Sequence, residues 1–251
     1  MNAIQTARSR ARAELTREIK EEARRQLADS GASGLSLRAV ARELGMVSSA
    51  LYRYFPSRDD LLTALIIDAY NALGEQAEEA NAAVEATQYR ARFRVICLAV
   101  RAWAIAHPSE YALVYGSPVP GYRAPEDTVE PGIRVPLAML RLVGEAWEAG
   151  ALAPSDDALP PVLAEQAAAI AEIAVPGLPA PRTARGAVVW AQLFGLISFE
   201  LFGQFANSLD PADTFFEYAV ERMADFLGLT DAYSQRLLLL RETFFTIVRG
   251  V

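Results

Sequence analysis

Apolar residues along this chain recur at intervals of three and four, and the strict alternation that marks a half-buried strand is nearly absent. Leu15, Ile19, Ala23 and Leu27 repeat every fourth residue and predict a first helix, ending between Asp29 and Gly34 where turn residues cluster. Leu37, Val40 and Leu44 predict a short second helix. Ser36 offers it an N-cap oxygen, and Gly45 can take the left-handed conformation that ends it. Leu51 and Phe55 then stand one turn apart on a third short helix, facing inward and leaving Ser48, Ser49, Tyr52 and Arg53 toward solvent. Pro56 halts that helix. Ser57-Arg58-Asp59-Asp60 reads as a capping box opening a fourth, whose Leu61, Leu62, Leu65 and Ile66 face a core.

Further helices are predicted near 87–106, 136–149, 158–175, 183–206 and 211–227. Pro108 ends the helix containing Trp103, four prolines make 116–134 a long irregular connection, and Pro176, Pro179 and Pro181 separate two later helices. Asp210, Pro211 and Asp213 supply an N-cap, a proline at N1 and an acid at N3 for the helix carrying Phe215, Ala219, Met223, Phe226 and Leu227. The expected fold is all-α: an N-terminal three-helix domain of helix-turn-helix type, followed by a larger helical domain. The boundaries read as 1–60, 61–230 and an extra C-terminal helix over 231–251, where Leu237, Leu240, Phe244 and Val248 share a face.

The third helix has the chemistry of a DNA reading head. Its hydroxyls and guanidinium supply donors to phosphates and base edges, and small residues at its start let the backbone approach the bases. The net charge of −7 seems to argue against such a partner, so its distribution matters. Residues 1–60 hold eleven Lys or Arg against eight Asp or Glu, a balance of +3, while the remainder holds thirteen against twenty-three, a balance of −10. The basic part coincides with the helix-turn-helix, as an electrostatic footprint on DNA requires. Arg8, Arg10 and Arg12 precede the first acidic residue and suggest a basic arm that tracks phosphate or enters a minor groove.

The order from Ser36 to Arg58 resembles the N-terminal domain of TetR-family transcriptional regulators. There a Leu-Tyr-x-Tyr-Phe pentad, followed by Pro-Ser and a basic residue, closes the recognition helix and opens the next; here it stands as Leu51 to Phe55, then Pro56, Ser57 and Arg58. The resemblance covers residues 15–75. It implies base contacts from Ser48, Ser49 and Ala50 and phosphate contacts from Tyr52, Tyr54 and Arg58, with Arg38 and Arg53 completing the expected DNA-binding set. One departure stands out: Val47 occupies the position where the family usually has a capping Ser or Thr, so that either Ser48 caps a helix starting one residue later or the cap is lost.

Trp103 to Tyr111, with a His-Pro break at His107 and Pro108, is similar to one class of TetR-family effector domain, as is Trp190 to Gly195, although Phe194 replaces that class's histidine. The expected ligand-pocket residues are Trp103, His107, Tyr111, Tyr115, Trp147 and Phe194, apolar bulk with a few polar tips, suited to a largely apolar or aromatic small-molecule effector. The family resemblance also implies a homodimer through residues 183–228. The function expected is a ligand-responsive regulator, a repressor released from a double-stranded DNA operator, with no cofactor, no metal and no enzymatic activity.

The alternative is a helical carrier or enzyme acting in the aromatic pocket. The sequence offers it no nucleophile–base pair or phosphate loop, and a lone His107 beside a proline is a poor general base. One cysteine, Cys97, excludes an intramolecular disulfide and fits a reducing cytoplasm, and a single histidine argues against a zinc site. The polar N-terminus carries no signal-peptide pattern. The most apolar run, Ala187 to Phe202, is interrupted by Gln192, Ser198 and Glu200 and falls short of a membrane span, so a cytoplasmic location is expected.

Overall fold

The computed structural model of the chain describes residues 3–155 and 157–230, with side chains from residue 8 onward. The predicted C-terminal helix over 231–251 lies outside the described residues. Within them the structure is helical, its only extended pairing a single bridge between Leu152 and Leu229. In chain order the helices are α1 (Ala3–Gly34), α2 (Leu37–Glu43), α3 (Ser48–Leu51), α4 (Arg58–Ala82), α5 (Tyr89–Ala106), α6 (Pro108–Tyr115), α7 (Val129–Gly132), α8 (Arg134–Glu148), α9 (Pro161–Ala174), α10 (Ala180–Leu201) and α11 (Asp213–Leu227). No helix among the described residues is long and apolar enough to cross a membrane.

The chain divides into two compact units, the first made of Met1–Ala72 and Ala106–Gly132, the second of Leu73–Ile105 and Ile133–Val251. In the first unit, Ile19, Ala23 and Leu27 of α1 meet Leu37 and Val40 of α2, Leu51 of α3 and Leu61, Leu62 and Leu65 of α4 in one core. These are the periodic positions of the sequence, and burying each large side chain contributes ~1.5–3 kcal/mol. Gly31, at φ 67°, breaks α1 near its end. On the rim of the core, Lys20 and Arg24 both pair with Asp68 of α4 (2.8 and 2.7 Å), and Arg24 also reaches Glu110 of α6 (3.1 Å). Tyr122 meets Thr63 through their hydroxyls (2.9 Å).

In the second unit, α8 buries Met139, Leu142, Val143 and Ala146, and α10 buries Val189, Leu193, Phe194 and Ile197. α11 buries Phe216, Val220, Met223, Ala224 and Leu227. Two arginines stitch this unit where loops close on helices. Arg92, only 7% exposed, reaches Asn81, the carbonyl of Ala86 and Glu145, and Arg182 donates to the carbonyls of Ala153 and Leu227 while lying over the Trp147 ring. Each donates to several oxygens at once, the geometry in which guanidinium exceeds ammonium.

Several boundaries differ from the sequence pattern. Residues 126–132 are not irregular: Glu126–Thr128 forms a 3-10 turn and α7 follows, with Pro131 tolerated because a first-turn residue has no intrahelical acceptor to lose. Prolines open helices here as often as they end them: Pro161 begins α9, and Pro181 lies in the first turn of α10, which starts three residues before the expected position. α10 stops at Leu201, and Gly203 at φ 79° turns the chain. α11 starts at Asp213 with Ala212 at its N-cap, so the Asp210-Pro211 cap is not used; Asp213 pairs instead with Arg101 (2.8 Å).

Candidate nucleic-acid interface

α2 and α3 meet through a turn whose every part is specified locally. Ser36 Oγ accepts from the Ala39 amide (3.4 Å), Gly45 sits at φ 64°, and the Met46 and Gly45 amides return to the carbonyls of Ala41 (2.8 Å) and Arg42 (3.1 Å). That paired return is a Schellman ending, which satisfies carbonyls the helix end would otherwise orphan. On the other side, the Asp60 amide donates to Ser57 Oγ (3.1 Å) and the Ser57 hydroxyl donates to the Asp60 carboxylate (2.7 Å), the predicted box opening α4.

Between these two fixed ends lies α3. Leu51 is fully buried and Phe55 is 7% exposed, while Ser49, Tyr52 and Arg53 are exposed and Ser48, Ala50 and Tyr54 are half-buried. The regular helix is only four residues long, but amide bonds from Tyr52, Arg53, Tyr54 and Phe55 back to Ser48, Ala50 and Leu51 carry helical winding to residue 55. The uncertainty over its cap is resolved: Val47 is the N-cap residue, it is 70% exposed, and no side chain caps the helix. α3 is therefore held by its two apolar anchors rather than by its own terminus.

The basic residues divide into two groups. Arg38 on α2 is exposed. Arg58 is used differently from the expectation: its guanidinium donates to the carbonyls of Leu35 (3.2 Å) and Ala32 (2.7 Å) and contacts Asp59, tying the turn after α1 to the start of α4. A side chain committed to two carbonyls and a carboxylate acts as a structural clasp. Arg8, Arg10 and Arg12 also depart from expectation, since they lie on α1 and form no extended arm. Arg12 reaches across to α3, donating to the Arg53 carbonyl (3.2 Å) with its guanidinium 4.8 Å from the Tyr54 ring centre. The sequence carried no signal for that contact, because residues 12 and 54 are joined only by the fold.

The six expected ligand residues fall in different units. His107, Tyr111 and Tyr115 belong to the first, where Tyr111 is fully buried, His107 is exposed at the N-cap of α6, and Tyr115 stacks on Tyr111 (5.2 Å) and meets Tyr70 edge-on (5.9 Å). Burial, then the neighbouring Tyr70 and Tyr111, push the Tyr115 phenol up, so it stays protonated at neutral pH. Trp103, Trp147 and Phe194 belong to the second unit: Trp103 is buried, Trp147 lies half-open beneath Arg182, and Phe194 packs edge-on against Trp190 (6.5 Å).

The second unit also contains a cavity of about 360 Å³ between α8, α9 and α10. Its wall includes Leu137, Leu140, Ile170, Ile173, Gly186 and Trp190, with Thr183 the one side chain bearing a hydroxyl. None of the six expected residues lines it, although Phe194 backs Trp190. Gly186 leaves room there, since a Cβ would stand 3.0 Å from Leu140 Cδ1. Sequence reasoning passed over Ile170, Ile173 and Leu137 because apolar helical residues look alike whether they line a cavity or fill a core.

A buried first core presenting a short exposed helix, joined in one chain to a larger helical unit, defines a helix-turn-helix regulator with a separate C-terminal domain. Comparison with known proteins agrees: residues 19–65 match the family model for bacterial regulatory proteins of the tetR family, and residues 93–223 match that for the tetracyclin repressor-like C-terminal domain. The HTH-type transcriptional regulator Rv1816 of Mycobacterium tuberculosis is 42% identical over 209 residues, covering 82% of this chain and 89% of that protein; Mb1846 of Mycobacterium bovis matches equally. Among solved structures, the regulatory protein SCO4313 superposes with a TM-score of 0.70 at 32% identity, over 86% of this chain and 97% of that one. A protein of unknown function from Rhodococcus sp. RHA1 gives 0.65 at 28%, over 86% and 95%. The chain belongs to the TetR family of DNA-binding transcriptional regulators, which are not enzymes.

Proposed function

We propose that this protein is a homodimeric repressor whose recognition helix α3 reads a DNA operator and whose second unit binds a small apolar effector that releases it. The observation that carries the reading is the outward face of α3: Ser49, Tyr52 and Arg53 exposed, with the half-buried Ser48, Ala50 and Tyr54 beside them and Arg38 on α2 flanking, all supported by a sealed Leu51 and Phe55. Ser48, Ser49 and Ala50 approach base edges. Tyr52, Tyr54, Arg53 and Arg38 contact phosphates and fix the register.

Dimerisation follows from what the second unit leaves uncovered. α11 turns Phe216, Val220, Met223, Ala224 and Leu227 into its own core and leaves Tyr218 and Phe226 exposed, while α9 and α10 present Val162, Leu163, Val188 and Phe199 to solvent. An exposed apolar surface of that extent marks an interface, so the contact between copies centres on α9 and α10, with Phe226 of α11 at its edge. The effector occupies the cavity walled by Leu137, Leu140, Gly186 and Trp190, whose volume and lining suit a small apolar or aromatic molecule oriented by Thr183. A ligand that prefers one arrangement of two reading heads weakens operator binding by its differential affinity, commonly ~1–3 kcal/mol.

Selection of bound duplexes from a random pool, followed by a screen of compounds for release, tests this reading. Enrichment of an inverted repeat with half-sites ~34–36 Å apart, or a multiple, supports a dimeric reader. Failure to enrich any duplex at low salt overturns it.

A further inference from the structure

α3 is an unusual element to entrust with DNA recognition. It has four regular residues, no side-chain N-cap, and two fully seated anchors, Leu51 and Phe55, one turn apart on one line, with Tyr54 only partly buried against the same core. Two anchors on one line fix the depth of a helix but resist rotation about that line poorly. A contact off that line that seats the partly buried Tyr54 helps to hold Ser49, Tyr52 and Arg53 at one angle.

Arg12 supplies such a contact. It stands on α1, and its guanidinium reaches the far end of the recognition segment, donating to the Arg53 carbonyl at 3.2 Å and covering the Tyr54 ring at 4.8 Å. The carbonyls at a helix C-terminus carry partial negative charge, so a cation seated there is favoured electrostatically as well as by the hydrogen bond. The planar group uses an edge for the carbonyl and a face for the ring, which an ammonium cannot do simultaneously. Backbone and side chain of two consecutive residues are thereby tied to α1, itself fixed through Ile19, Ala23 and Leu27.

We propose that Arg12 is a positioning residue for DNA recognition, which sets the orientation of α3 through Arg53 and Tyr54 and does not itself neutralise a phosphate. This rests on the assignment of α3 as the reading head. The alternative use of an exposed arginine near DNA, a direct phosphate contact, has a different signature, because a lost phosphate contact makes the dependence of log K on log salt shallower by ~0.9.

The test uses the full-length protein and a duplex enriched by the wild type. Arg12→Ala lowers affinity about tenfold, as expected for one cation–π contact and one hydrogen bond, with the salt slope unchanged. Amide hydrogen exchange in residues 50–55 accelerates while that of Leu61 to Leu65 does not. In a cycle with Tyr54→Leu the two substitutions are non-additive, because either one removes the stacked pair. A shallower salt slope, wild-type affinity in Arg12→Ala, additivity with Tyr54→Leu, or unchanged exchange in residues 50–55 each overturns the proposal. Failure of the wild type to select any duplex instead overturns the reading of α3, which separates the two claims.

Discussion

Val47 at the N-cap of α3 offers a substitution whose sign opposes the usual expectation that changes near a binding site destabilise. Its backbone, at φ −70° and ψ 136°, already has the extended geometry of a capping residue, and its side chain is 70% exposed. Removing it to alanine forfeits about a third of the burial of a valine, ~0.5 kcal/mol. Serine at the same place loses the same contact but supplies an oxygen to the amide of Ser49, worth ~1 kcal/mol over alanine. Val47→Ser is therefore expected to be about 1 kcal/mol more stable than Val47→Ala and about 0.5 kcal/mol more stable than the wild type. Amide exchange within residues 48–52 reports the local effect, and urea unfolding reports the global one. The alanine variant serves as the reference, because the serine–alanine difference isolates the cap from the lost packing. Equal protection and equal stability in the two variants would refute the claim that α3 is uncapped.

Other expectations follow from particular contacts. Leu51→Ala opens a cavity under the recognition helix and costs ~2–5 kcal/mol in denaturant unfolding; a loss below 1 kcal/mol would mean that Leu51 is not an anchor. Tyr52→Ala lowers affinity for enriched duplexes and for mismatched ones alike, so binding curves shift together; a change in sequence preference would instead assign it a base contact. Glu78 is held below its ordinary value chiefly by its hydrogen bond to Arg134. Since the folded-state value is depressed, its stabilisation is complete above ~pH 4.3 and is lost as pH falls through the folded value. Glu78→Gln therefore flattens the melting temperature against pH between 5 and 3, and an unchanged profile would contradict the pairing. Burial pushes the Cys97 thiol up, so it stays protonated and unreactive toward a thiol reagent until the protein unfolds; rapid labelling of the native state would be the contrary result.

The reading head was legible because its signals are local. Ser36, Gly45, Ser57 and Asp60 act within a few residues of themselves, and the caps and turn they predict are all present. Leu51 and Phe55 declared their inward face by spacing alone. What the sequence withheld depends on contacts between distant residues. Arg58 has the same chemistry whether it meets a phosphate or the carbonyls of Ala32 and Leu35, and only the fold chooses. Arg12 is separated from Tyr54 by the rest of α1 and by α2, and no periodicity links them. Prolines read as breaks misled, since Pro131 and Pro181 sit in first turns where the missing donor is harmless. In α11 the helix was plain but its inward face was not: Phe216, Val220 and Ala224 are buried where the spacing pointed to Phe215, Ala219 and Phe226, because adjacent apolar residues give two overlapping stripes.

Ser49 provides the most direct examination of the central claim, that the outward face of α3 lies against duplex DNA. It is exposed and stands in the first turn of its helix, where glutamate is favoured by the positive end of the helix dipole. Ser49→Glu should therefore fold with wild-type or slightly raised stability while placing a carboxylate against bases and phosphates. Anisotropy titration of an enriched duplex at fixed salt is predicted to show at least a hundredfold loss of affinity alongside an unchanged melting temperature. Wild-type affinity in the folded Ser49→Glu protein would contradict the account.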